Sequence, residues 1–277
     1  MMDPFFIPVL AAGAVGGASA GLLGVFIVGM RMPFLGVCVS HAAMAGAVGG
    51  LLLGWPAFPC ALAAAVVAAG SLGLVRIAPG RGVADGNVAL GVLFSLLLGL
   101  TFLGIGLAPG PKTPMLGLLW GSLVFVGIRE VWVVVATGVA LVLFVCLFGK
   151  EMRAILFSRL LAAAAGIHET LVYTLFLGLC GLVLTVNLQA VGGLMIFSLI
   201  TNPAVAAFRI AKGFVPVCIV ASALGAASAL GGFFAAYWLD LPTGACIVLV
   251  SSLLLAGAVL ASSMSRWAIW RAGERGA

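Results

Sequence analysis

Charge is what this sequence has least of. Asp, Glu, Lys and Arg make up 7% of the 277 residues, only seven of them acidic, and there are two histidines, His41 and His168. A soluble domain dresses its surface with roughly 25–35% charged residues, so this chain is no soluble globular domain. Catalytic patterns are missing as well. There is no GxSxG, no HExxH and no pair of carboxylates inside an apolar run, which argues against an intramembrane enzyme. The six cysteines (38, 60, 146, 180, 218 and 246) form no CxxC pair and lie in or beside apolar runs, so they read as small apolar fillers rather than a disulfide frame. A nucleotide-binding loop is also lacking. The stretch from Gly106 to Thr113 imitates one, but Pro111 removes an N–H that a phosphate would need. The formal charge of +6 comes from basic residues scattered singly in short loops, which excludes a nucleic-acid surface.

What the chain has instead is hydrophobicity, 64% of its residues, with a mean hydropathy of +1.35. The apolar stretches are continuous rather than alternating, which predicts an all-α polytopic membrane bundle and not a β-barrel. Nine runs are long enough to cross about 30 Å of hydrocarbon. They fall at 5–29, 33–54, 57–77, 87–108, 131–149, 169–187, 190–208, 214–238 and 245–265. A shorter stretch, 115–128, suits an interfacial or re-entrant helix. Met1, Met2 and Asp3 give no basic leader, so the first run is expected to remain as a span. The whole chain, 1–277, is expected to form a single transmembrane domain of eight to nine spans.

With the N-terminus outside and the C-terminus cytoplasmic, eleven basic residues fall on the inner side (Arg31, Arg76, Arg81, Lys150 and Arg153 through to Arg275). Only Lys112 and Arg129 fall outside. That is a positive-inside pattern. The longest inner connection, 150–168, reads either as a basic surface helix or as a helix that docks a cytoplasmic partner.

Chemistry concentrates in 33–54. His41 is an ionisable side chain at membrane depth, costly there unless it faces a polar path or a partner. Cys38, one turn before it, shares its face, and Met44 lies a turn on. Gly46, Gly50 and Gly54 form a small-residue ridge, as Gly13, Gly17 and Gly21 do in the first run. Read from residues alone, His41 is either a hydrogen-bonded structural histidine or a ligand. Asn202, before Pro203 in a late run, reads as part of a packed proline kink or as a cavity-lining group. Asp240 reads as a solvated outer turn or as a pathway residue.

The stretch VGMRMPFLGVCVSHAAMAGAVGG resembles permease subunits of ABC importers for zinc, manganese and iron, whose pattern here is Arg-x-Met-x-Phe-x-Gly-Asp-x-x-x-His. The stretch from Val191 to Phe208, the stretch from Asp240 to Ser252, and the loop FSRLLAAAAGI resemble the same family, in register. The resemblance implies a permease homodimer in the cytoplasmic membrane, two ATPase subunits on its cytoplasmic loops and an extracytoplasmic metal-binding protein. It implies metal contact at His41 and Cys38, a pathway along Val37, Met44, Asn202 and Asp240, and ATPase coupling through Arg153, Arg159 and Gly166 of the 150–168 segment. Val37 stands where the family has Asp, and Ser158 stands where its coupling helix has Asp. A Cys/His pair favours zinc over manganese as the transported divalent ion. The alternative from another class is a secondary transporter driven by an ion gradient. It would need intramembrane carboxylates, whereas Asp85, Glu130, Glu169 and Asp240 all sit near span ends.

Overall fold

A computed structural model describes residues 6–74, 86–109, 127–191 and 196–274. Ten helices carry the described residues: α1 (Phe6–Gly29), α2 (Phe34–Leu52), α3 (Ala57–Leu74), α4 (Gly86–Leu107), α5 (Ile128–Phe157), α6 (Arg159–Ala164), α7 (Glu169–Val191), α8 (Ile196–Ile210), α9 (Phe214–Leu239) and α10 (Thr243–Glu274). No strand occurs among them, as the unbroken apolar runs require. The expected loop 78–86 (but for Gly86), the phosphate-loop imitation from residue 110 onward, and most of the stretch 115–128 lie outside the described residues.

Among the described residues, seven helices are long and apolar enough to span. Within the runs 57–77 and 190–208 the described residues form α3 and α8, of 18 and 15 residues. The run 131–149 is extended instead. Its helix is kinked at Phe148 (φ −107°, ψ 16°) and continues through Lys150 and Arg153 to Phe157.

α1 and α7 form the centre of the bundle. α1 packs against α9, α8 and α5, while α7 joins α3, α5 and α2. The α1–α9 seam is built from small residues. A Cβ on Gly17 or Gly21 would run into the backbone carbonyls of Gly225 and Ala221, so only hydrogen fits where the two backbones meet. Gly46 and Gly50 do the same for α2 against α3, around Cys60. Gly54 leaves that ridge. It has φ +73° in the turn after α2, with nothing near it.

One end of the bundle is tied by aromatic rings. Phe26 near the end of α1 lies 5.3 Å from Phe176 near the start of α7 and 5.8 Å from Phe214 at the start of α9. Tyr173 Oη donates to Met32 Sδ at 3.5 Å. The turn with Arg31, the end of α5 and the end of α8 therefore converge, and with them Lys150, Arg153, Arg159, Arg209 and Lys212. At the opposite end Arg129 is the lone basic residue among the described ones.

Candidate functional site

α2 starts after Pro33, which fixes φ at −60° and suits a helix start. Its buried face then carries Leu35, Cys38, His41, Met44 and Val48. His41 is 1% exposed. Its Nδ1 lies 2.9 Å from the Val37 carbonyl, one turn back, and a carbonyl has no proton to give, so Nδ1 carries the hydrogen. The lone pair is left on Nε2, which is buried without a hydrogen-bond partner among the described residues. The ring stands edge-on to Phe94 of α4, centroids 4.7 Å apart. A fully paired structural histidine would have satisfied both nitrogens. This one presents a neutral imidazole nitrogen, which is the form that binds a divalent metal.

Cys38 does something else. Its thiol donates to the Leu90 carbonyl of α4 at 2.7 Å. A thiolate is the metal-binding form, and here the proton is committed to a backbone acceptor that ties α2 to α4. The Cys/His softness argument for zinc loses its cysteine on this geometry. Met44 is fully buried and Val37 is half-buried, its carbonyl engaged by His41. α2 alone brings these four residues together.

The other sequence-derived residues lie elsewhere. Asn202 Nδ2 lies 3.1 Å from each of the Ser198, Ser251 and Ser252 hydroxyls, and Ser198 meets Ser251 at 2.7 Å. This zips α8 to α10. Pro203 does not break α8, which runs on to Ile210. Asp240 caps α9 in the left-handed region (φ 53°, ψ 46°) and is exposed. No group of three His, Cys, Asp or Glu able to hold a metal occurs among the described residues.

At the basic end, Ser158 adopts an extended conformation (φ −166°, ψ 121°) and ends α5. Its Oγ accepts from Leu161 N at 3.3 Å, which starts α6. Gly166, at φ +82°, ends the segment where a Cβ would be strained. The connection foreseen as 150–168 is thus the end of α5 followed by a six-residue helix. Arg159 is bound within the chain: NH2 meets Glu169 Oε2 at 2.8 Å, and the guanidinium lies 4.2 Å over the Tyr173 ring. Arg153 turns the other way, its guanidinium 5.3 Å over Phe214 and its Nε donating to Gly149 O at 3.0 Å.

Sequence reasoning missed Asn187 of α7, 1% exposed, which donates to Val183 O at 2.9 Å and reaches Ser19 of α1 at 3.4 Å. Its signal was present, as a lone amide in an apolar run. Phe94, the wall behind His41, left no signal, since one apolar ring in a spanning run resembles any other.

These features define a polytopic helical membrane protein. The chain belongs to the ABC 3 transport family, whose profile matches residues 2–262. It is similar to the manganese import system permease protein ScaB of Streptococcus parasanguinis, 29% identical over 85% of this chain and 83% of that protein. It is also similar to the manganese transport system membrane protein MntC of Listeria monocytogenes, at 26% identity over 92% and 89%. PsaBC from Streptococcus pneumoniae, solved in complex with Fab, superimposes with a TM-score of 0.81 at 26% identity, covering 93% of this chain and 91% of that one. The chain is a multi-pass permease of the cytoplasmic membrane, and ATP hydrolysis belongs to a separate subunit.

Proposed function

We propose that this chain is the membrane pathway of an ATP-driven divalent-metal importer, with manganese the favoured cargo. The observation that carries the reading is His41, a buried neutral imidazole whose Nε2 lone pair has no protein partner among the described residues, in a chain of this family. Manganese replaces the zinc expected from the Cys/His pair for two reasons: the thiol of Cys38 is engaged with Leu90, and the relatives are named for manganese. One imidazole without a carboxylate at Val37 makes a weak site, which suits a pathway better than a store, since a transported ion must also leave.

The working assembly in this reading is a permease homodimer with two cytoplasmic ATPases and an extracytoplasmic metal-binding protein. The basic end faces the cytoplasm, as the excess of Lys and Arg there supports. The Ser158-to-Gly166 segment is the coupling element. Arg159 acts by positioning, since its pairing with Glu169 and Tyr173 holds α6 against the start of α7. Val37 and Met44 flank His41 along the pathway, and Asn202 steadies the α8–α10 pair beside it.

The test is ATP-driven uptake into proteoliposomes holding the permease, its ATPase and its binding protein, with manganese, zinc and iron compared. His41→Ala should lower manganese uptake at least about ten-fold, equivalent to about 1.4 kcal/mol of lost stabilisation in the transport barrier. Assembly with the ATPase should be unchanged. Full uptake by the variant would remove His41 from the pathway.

A further inference from the structure

α5 and α9 both pack on α1 but diverge from each other, leaving a groove of about 570 Å³ on the bundle's outer surface. Leu22 of α1 forms the floor. Val142, Val145 and Cys146 form one wall, and Cys218 and Ile219 form the other. The groove is apolar for most of its length and strongly basic at one end, where Lys150 and Arg153 stand. Both are exposed. Lys150 has no hydrogen-bond or ion-pair partner among the described residues. Arg153 uses Nε on Gly149 O and rests its guanidinium face on Phe214, which fixes the group while leaving its terminal nitrogens available. No carboxylate lines the groove. Neighbouring Glu151 is absent from its walls, with one carboxylate oxygen buried elsewhere.

The dimensions fit one leaflet. Val142 to Arg153 is eleven residues of α5, kinked at Phe148, and reaches at most about 16 Å, half of a hydrocarbon core of about 30 Å. An open apolar slot in a bilayer is filled by an acyl chain, and two cations at its polar end select a negative headgroup. A second copy of this chain is a poor occupant. A two-fold axis along the membrane normal would set its basic end at the same depth, Lys150 and Arg153 against Lys150 and Arg153.

We propose that this groove is a binding site for one anionic phospholipid. The phosphate sits between Lys150 and Arg153, and an acyl chain lies along α5 and α9. The site is independent of the cargo. It borders the end of α5 that leads through Ser158 into α6, so an occupied groove braces the base of that segment.

The experiment is native mass spectrometry of the full-length permease released from bilayers containing both phosphatidylglycerol and phosphatidylcholine. One retained phosphatidylglycerol per chain is expected, in preference to phosphatidylcholine. The double variant K150Q/R153Q should retain it about ten- to thirty-fold less, the loss of two headgroup charges. Lysine and arginine restored in swapped order (K150R/R153K) should recover most of the retention. Ile219→Trp fills the slot with both charges intact and should also reduce retention, which guards against a headgroup-only effect. Equal retention of the two lipids, or undiminished phosphatidylglycerol on K150Q/R153Q, would overturn the proposal. So would complete copper-phenanthroline crosslinking of Cys146 between two copies in the bilayer, which would make this face a contact between permeases.

Discussion

α1 and α4 are both apolar helices of spanning length, yet 72% of the apolar window of α1 is buried against 22% for α4. The buried helix is the less hydrophobic of the two, with a mean hydropathy of 1.9 against 2.5. The same ordering holds for α2 and α7 (1.7 and 2.1) against α5 and α10 (2.8 and 2.4). Inside a bilayer there is no water to drive helices together, so a central helix is chosen for close approach, with glycine and an occasional polar side chain. A helix facing outward is chosen for apolar surface. High hydropathy therefore marks the rim of this bundle, whereas low hydropathy alone does not mark its centre, since α9 has a hydropathy of 1.9 and is only 33% buried.

Glycine offers the sharpest way to break that comparison. Gly21 of α1 lies against the Ala221 backbone, whereas Gly99 of α4 has nothing within 4 Å of an added Cβ. Gly21→Leu should cost about 3 kcal/mol or more, because backbone cannot move aside as a flexible side chain can. It should abolish a monodisperse peak in size-exclusion chromatography. Gly99→Leu should stay within about 0.5 kcal/mol of the parent. Equal tolerance at both sites would mean that the α1–α9 seam does not hold the bundle.

The next effect separates holding α6 in place from merely keeping the protein folded. The Arg159–Glu169 pair is partly exposed, so Glu169→Gln should cost less than about 1 kcal/mol in thermal unfolding. If the pair sets α6 for its ATPase, metal moved per ATP hydrolysed should still fall several-fold. Unchanged coupling with unchanged stability would reduce the pair to a surface contact.

The smallest effect probes α2 against α4. Cys38→Ser keeps a donor for the Leu90 carbonyl and should leave uptake and stability nearly intact. Cys38→Ala leaves that acceptor unpaired and should cost about 1 kcal/mol. Loss of uptake in the serine variant at normal protein levels would return the sulfur to the metal pathway.

The sequence carried the helical class, the membrane setting and the importance of α2, since apolar runs and an intramembrane histidine are local signals. It carried the family through the stretch around His41, with Val37 as the visible departure. It did not carry the course of α5. The apolar run 131–149 gives no sign of a kink at Phe148 or of a helix that continues to Phe157. It could not separate His41 from Cys38, because spacing puts both on one face while the difference lies in distant partners on α4, Leu90 and Phe94. Arg153 and Arg159 looked alike in one basic segment. The extended backbone at Ser158 turns them to opposite neighbours, Phe214 and Glu169.

The most direct test is ATP-driven manganese uptake in proteoliposomes by the parent, His41→Ala and Gly99→Leu permeases, each with its ATPase and binding protein. The account predicts uptake lost in His41→Ala and kept in Gly99→Leu, with all three assembling equally. Parent-level uptake by a fully assembled His41→Ala permease would contradict it.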